Sequence, residues 1–438
     1  MRFVLVLALV GCSGGAPAPK PGAPEAEKPA PPKPEAPKPE APKAAACVAD
    51  PSWLQPGHAP PTEVGGNKPV GDETNCDFYT FAWQWFLADM QMSTTSPNER
   101  VWETFRRFNA KTPAPQCANP ALKGLANFGA SLVVRTTKPT VGLGAPILPA
   151  DMGQATGNAL YDQAGNVVLY SASYTESECQ ASEATGYLPN TTEIKASWRV
   201  LAADDPQLAT WYHQTTIVPG FNGDKPVTLG LVGFHLVINT PNHPEFVWAT
   251  WEHDANAPDC ASPQPAPPGG WSFTSAACAA CLAQPAGDPC TTTCAFNQDA
   301  DDGKIGPTGK PDQVCRQFPD GQAPGGSADN KANIDALNAQ LVGPNGLITK
   351  LPDSDPLSVL KHYKLVGGLW TVDGKPSTSP QAGSLQLANT TLETFIQKDS
   401  ANCFTCHNYT PGSPASDPKG LCVSHMIGDL VAGVPCSQ

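Results

Sequence analysis

Positive charge is scarce in this chain: 27 Lys and Arg stand against 40 Asp and Glu, for a net charge of −13. No basic stripe offsets that deficit, which removes the electrostatic footprint of a nucleic-acid-binding protein. Long apolar runs are missing too. The N-terminal run from Phe3 to Val10 has eight residues, far short of the roughly 20 needed to cross a bilayer as a helix. There is no glycine-rich phosphate loop, no GxSxG serine elbow between a strand and a helix, and no HExxH, so nucleotide, serine acyl-transfer and zincin chemistry have no motif to stand on.

Behind Arg2, the short apolar run ending in "LVGC" (9–12) has the shape of a bacterial secretory signal. It resembles a lipobox, which implies lipidation of Cys12 as the first mature residue and a signal peptide over 1–11. Ser13 stands where an aspartate would favour inner-membrane retention. The expected location is therefore the outer membrane, facing the periplasm, with the lipid as the sole membrane contact. Residues 12–46 are almost entirely Pro, Ala, Lys, Glu and Gly, including "KPEAPKPEAPK". Such a tract buries no core and is stiffened by proline, giving a tether that reaches roughly 100 Å at about 3.1 Å per residue.

Fifteen cysteines in an exported chain point first to disulfides. With Cys12 on lipid and Cys403 and Cys406 set aside as a pair, twelve remain, an even number. Six of them fall in 260–315 around "CAACLAQPAGDPCTTTC". A zinc ribbon needs two more widely separated CxxC pairs, so three disulfides closing a Pro/Gly-rich insertion are expected. Within it, "NQDADDGKIG" (297–306) approximates a DxDxDG calcium loop, with Asp299 and Asp301 as candidate ligands. Asp302 occupies the position where glycine would make the turn.

Elements follow from periodicity. Phe78, Phe81 and Trp85 share a helical face over 76–92, and a second helix is expected over 97–108. Strands are expected at 166–174, 192–202 and 359–371, a helix at 331–342, and a hairpin over 225–254. A turn in which Asn239 faces Glu245 would set His235 opposite Ala249 and His253 opposite Leu231. His235, Trp251 and His253 would then share one face, with the histidines roughly 13 Å apart at about 3.3 Å per residue. A short element at 387–397 is expected, capped by Thr390 or Thr391, with Glu393 in its first turn.

Immediately beyond lies "CFTCH", Cys403 to His407. Two cysteines two residues apart can reach both vinyl groups of a haem as thioethers, and the following histidine then meets the iron. A structural disulfide and a redox dithiol are the alternatives, although the strand-to-helix setting of a thioredoxin-like pair is missing. Candidate sixth ligands or distal residues are His235, His253, Glu252, His425 and Met426.

Four stretches, "CDFYTFAWQWFL", "IKASWRVL", "LVGFHLVINTPNHPEFVWATWEH" and "LANTTLETFIQ" followed by "CFTCH", resemble a group of exported bacterial proteins called cytochrome c family proteins. The resemblance implies one covalent haem c and electron transfer. It marks Cys403 and Cys406 as attachment points, His407 as axial ligand, and draws attention to His235, Glu252 and His253.

Only about thirty residues follow Cys406, so a haem would be clasped by earlier parts of the chain rather than by a small all-helical cytochrome fold. The expected architecture is α+β. A mixed domain over 47–438 would combine an antiparallel hairpin or sheet, packed helices, the insertion at 260–315 and the C-terminal CxxCH. The expected function is a lipid-anchored monohaem cytochrome serving a redox partner protein. A peroxidase-like haem c oxidoreductase, with His235 or His253 as acid/base oriented by Glu252, is one alternative. A non-haem binding lipoprotein is the other.

Overall fold

The computed structural model describes residues 47–109, 115–122, 132–134, 159–218, 223, 225–284, 289–300, 306–319, 328–375, 380–397, 403–407 and 420–433. All belong to one unit that begins at Ala45. Cys12, the tether, Asp301 and Cys436 lie outside the described residues.

The centre is a nine-stranded antiparallel sheet. Its strands are β1 (Arg106–Arg107), β2 (Leu132–Val134), β3 (Leu169–Tyr174), β4 (Thr192–Leu201), β5 (His213–Ile217), β6 (Pro226–Ile238), β7 (Val247–His253), β8 (Tyr363–Thr371) and β9 (Gln381–Gly383). The order is β1-β3-β4-β6-β7-β8-β9, with β2 beside β3 and β5 beside β6. Helices are fewer than expected. Among the described residues only α1 (Asn75–Met90) and a late helix (Ala328–Leu341) exceed six residues; α2 (Ala276–Cys281) and α3 (Pro289–Cys294) lie between them in the chain, making the late helix α4. Two single turns follow, α5 (Cys403–Cys406) and α6 (Ile427–Leu430). The fold is thus sheet-rich rather than an even α+β mixture.

The second helix expected at 97–108 does not form. That segment is a 3-10 turn, Val101–Thr104, followed by β1. Glu103 accepts the Arg100 backbone N–H, and the Arg100 guanidinium donates to the carbonyls of Met90 and Pro356. The chain is thereby turned back, and the Phe108 N–H reaches the Ala172 carbonyl.

Helix α1 begins at a capping box in which Thr74 and Asp77 satisfy each other's backbone N–H. It lies on one face of the sheet, the core face. There Phe86 stacks on Trp251 at 4.3 Å and meets Phe234 edge-on at 5.5 Å, while Phe78 stacks on Trp370 at 4.0 Å. Ile334, Leu337 and Leu341 of α4 are buried in the same cluster. Alternation along the strands assigns Ile194, Ala196, Phe234, Leu236, Val247, Ala249 and Trp251 to this face.

The opposite face carries Glu193, Lys195, His235, Val237, Trp248, Thr250 and Glu252. C-terminal segments clasp it: Leu387, Phe404, Leu421, Val423 and Ile427 pack with Val237, Trp248 and Leu369. The approach is close at Gly233, where a Cβ would stand 2.6 Å from Ser197 Oγ and 2.7 Å from Asn389 Oδ1. Only glycine permits the 387–391 segment to lie on β6 there.

The hairpin register differs by one residue from the expected one. Ile238 pairs with Val247 and His235 with Thr250, because the connection spans Asn239 to Phe246 and Phe246 adopts φ +67° before β7 begins. The odd sum moves His253 to the face opposite His235. The cap at 387–397 also differs. Asn389 Oδ1 accepts from the Thr391 N–H, and Glu393 reaches back to the Asn389 N–H.

Five disulfides lie wholly within the described residues: Cys47–Cys76, Cys117–Cys179, Cys260–Cys315, Cys278–Cys294 and Cys281–Cys290. The last three close the insertion, as expected, and leave its cysteines no part in a zinc ribbon. Cys422 is also disulfide-bonded.

Candidate functional site

The CxxCH turn rests on the clasp face. The His407 N–H donates to the Cys403 carbonyl at 2.7 Å, closing α5. Cys403 is half-buried beside the Trp248 and Phe404 cluster. The side chain of Cys406 lies outside what is described.

His407 is held from several sides. Its Nδ1 lies 3.0 Å from the Val423 carbonyl, a group that can only accept, so Nδ1 carries the proton. Nε2 is left with its lone pair, and it lies 3.4 Å from Lys195 Nζ. The ring lies parallel to His425 at 4.0 Å and against Trp248 at 4.5 Å. Burial, reinforced by the positive charge of Lys195 and by His425 and His235, holds its pKa well below the ordinary value. The imidazole is therefore neutral at physiological pH, the protonation state required of a metal ligand.

A histidine held in this way has Nε2 as the nitrogen that could meet a metal. The outer-shell hydrogen bond fixes the tautomer and ring plane, and the indole of Trp248 meets Phe404 edge-on at 6.0 Å to form an apolar wall.

His235 stands on the same face, with Nε2 2.8 Å from Glu393 Oε1. His253 does not share it. On the core side its ring stacks on Trp211 at 3.6 Å, Nε2 donates to the Thr210 carbonyl, and Nδ1 accepts from the Ala255 N–H. Burial pulls its pKa down to about 4. With both nitrogens engaged, His253 is a structural residue rather than a distal ligand or acid/base group. The same bonds weaken the grouping of His253 with Asp254 and His362, whose potential ligand atoms lie within 4.8 Å of one another.

Glu252 was expected to orient a histidine. Instead its carboxylate is buried and consumed: Oε2 pairs with Arg316 at 2.7 Å and accepts from Thr390 Oγ1, while Oε1 accepts from the Thr390 N–H. Met426 is buried with Phe108, Ala172, Tyr174 and Leu430, which accounts for it as packing. His425 is exposed and lies beside the His407 ring.

Lys195 is the residue that motif reading passes over. Its signal is the alternation in "TEIKASW", where Glu193, Lys195 and Ser197 interleave with Ile194, Ala196 and Trp198. A central strand with charges on one face must bury them or turn them to use. Both occur: Glu193 is buried facing Glu178 and Ser424, with its pKa raised chiefly by burial, and Lys195 faces His407. Compared with known proteins, the chain matches no family model, no curated protein and no solved structure.

Proposed function

We propose that the chain is a lipid-anchored, periplasmic monohaem c-type cytochrome that passes electrons. Haem would be attached through Cys403 and Cys406 and ligated by His407. The observation that carries this reading is the geometry of His407 at the end of the CxxCH: Nδ1 tied to the Val423 carbonyl at 3.0 Å, which turns the Nε2 lone pair away from that carbonyl, and a ring set against Trp248 at 4.5 Å. Haem, when bound, supplies a one-electron iron couple. The chain's own part is to hold the His407 ring plane through Val423, to exclude water with Trp248 and Phe404, and to lay the CxxCH turn on a rigid sheet. Anchorage through Cys12 follows from the signal sequence. No described helix is long and apolar enough to cross a membrane.

A haem c oxidoreductase with an open distal site is the second reading, favoured by the His235–Glu393 pair. A carboxylate 2.8 Å from an imidazole on the same face as His407 is the arrangement of an oriented acid/base group. In this reading Glu393 replaces Glu252 as the orienting carboxylate.

The test is a pyridine haemochrome spectrum of the chain exported with a haem c maturation system, beside a Cys403→Ala, Cys406→Ala variant. One acid-resistant haem per chain in the parent and none in the variant is expected. No covalent haem in the parent, while a control cytochrome matures normally, overturns the cytochrome and leaves the binding lipoprotein. A high-spin ferric spectrum that shifts with cyanide or peroxide selects the oxidoreductase.

A further inference from the structure

We infer that the cleft beside the end of α1 is a binding site for a primary organic ammonium, with Asp89 as its counter-ion and Trp85 as its aromatic wall. The cleft has a volume of about 440 Å³ and is bounded by the last turn of α1, the 91–95 segment and the loop around His58. That volume lies in the range of small-molecule sites. Asp89 lines the cleft although the residue is only 2% exposed, and its Oδ2 has no hydrogen-bond partner among the described residues. An ionised carboxylate buried in this way requires a counter-charge. The fold provides none: burial alone pushes the Asp89 pKa up, and neither a hydrogen bond nor a basic side chain opposes it. Among the described residues no lysine or arginine lines the cleft, and His58 is the other titratable side chain there.

The surroundings select a cation. Trp85 precedes Asp89 by four residues on α1, which sets the two side chains on one helix face, about 5–6 Å apart at Cβ. Trp85 also lines the cleft, and its Nε1–H donates to the Pro61 carbonyl at 2.9 Å, which fixes the indole plane. A positive group held by Asp89 is therefore within reach of the indole ring as well. The cleft lies at the carbonyl end of α1, where the helix carries partial negative charge. Arg100 donates to the Met90 carbonyl from elsewhere and does not line the cleft. A hydroxylated ligand can donate to Asp89 but leaves its charge unanswered once the carboxyl ionises. The small exposure of Asp89 admits one compact donor. A primary ammonium supplies three N–H groups in that space, whereas a quaternary one supplies none. Met92, which also lines the cleft and is 36% exposed, offers apolar surface to the organic remainder.

The test is isothermal titration calorimetry of the exported protein with phenethylamine, beside its neutral isostere phenethyl alcohol, at fixed ionic strength and about pH 8, where a primary amine is still protonated. Parent, Asp89→Asn and Ala88→Phe are compared. Phenethylamine is expected to bind the parent saturably, one per chain, and the alcohol to give no saturable heat. Asp89→Asn removes the charge at nearly constant shape and is expected to weaken the amine at least about tenfold, the worth of a hydrogen bond to a charged group. Its thermal midpoint should be no lower than the parent's, which separates lost binding from lost folding. Ala88→Phe keeps Asp89 but fills the cleft, and should weaken the amine by a similar factor. Where that variant does not fold, the asparagine variant carries the test. No saturable amine binding in the parent, equal binding of the alcohol, or undiminished amine binding in Asp89→Asn overturns the site. Amine bound at a haem iron gives the last of these results and leaves the cytochrome reading untouched.

Discussion

Replacing Arg316 with methionine is expected to cost about 3–5 kcal/mol of folding stability, read as a lower urea midpoint of the oxidised protein. Arg316 is 2% exposed, and its guanidinium answers two buried carboxylates: Glu252 through Nη2 at 2.7 Å and Asp259 through Nη1 at 2.6 Å. Burial alone would drive arginine toward neutrality, yet the two carboxylates hold its pKa above the ordinary value. Methionine fills much of the same space but leaves two charges buried with no counter-ion, which is the expensive way to break such a cluster. The cluster is also a junction. Glu252 lies on β7, Asp259 and Arg316 flank the Cys260–Cys315 disulfide at the mouth of the insertion, and Thr390 of the clasp bonds to Glu252. A triple variant, Arg316→Met with Glu252→Gln and Asp259→Asn, should regain a substantial part of the loss, because it removes the stranded charges. If Arg316→Met alone shifts stability by less than about 1 kcal/mol, the ion cluster does not hold the insertion to the sheet.

That junction shows why the sequence disclosed some levels of this fold and not others. Helix α1 was legible because Phe78, Phe81 and Trp85 repeat at helical spacing behind an N-cap. Strands β3, β4, β6, β7 and β8 were legible because they are apolar and bounded by turn residues. Pairing register is set by the turn, and here one residue in a left-handed conformation, Phe246 at φ +67°, was enough to reverse the reading of His253. The error had a chemical consequence. It joined His235 and His253 in one supposed pocket, whereas the structure stacks His253 on Trp211 and ties both of its nitrogens.

Cysteine reading behaved similarly. Clustering of six cysteines in 260–315 identified a disulfide insertion, but parity contains no connectivity, and the nested pairs Cys278–Cys294 and Cys281–Cys290 inside Cys260–Cys315 appear only in three dimensions. At the candidate site, His407 stands out in the sequence because CxxCH is a local motif. Lys195 was missed because its contact with His407 spans 212 positions, and no local rule couples residues so far apart. Glu252 was noticed for the wrong reason, since its neighbour in sequence, His253, points away from it across the strand. Sequence patterns report what one element demands of itself. A site assembled from β4, the 387–397 turn and the C-terminal clasp is fixed by packing between elements.

Asp89→Asn is expected to raise stability at pH 7–8 by about 1–3 kcal/mol, because asparagine removes the cost of keeping an ionisable carboxyl in a buried site at a pH where the unfolded chain would ionise it. Asp89 sits in the last turn of α1 and is 2% exposed, and its Oδ2 has no hydrogen-bond partner among the described residues. Burial raises its pKa well above the ordinary value, and no basic neighbour opposes the shift. The helix terminus worsens matters, since the carbonyl end of α1 carries partial negative charge. The sign follows from linkage. A carboxyl whose folded pKa is raised contributes its full share of stability below its unfolded pKa, near 4, and loses that share as pH climbs toward the folded value. The parent should therefore weaken from about pH 4 upward through this group, whereas asparagine does not titrate. Thermal unfolding of both proteins across the acid-to-neutral range should give curves that converge near pH 4 and separate above it, with the variant higher. Parallel curves would mean that Asp89 keeps its charge in the fold through a partner, and a variant lower at neutral pH would mean that its carboxylate stabilises α1 rather than straining it.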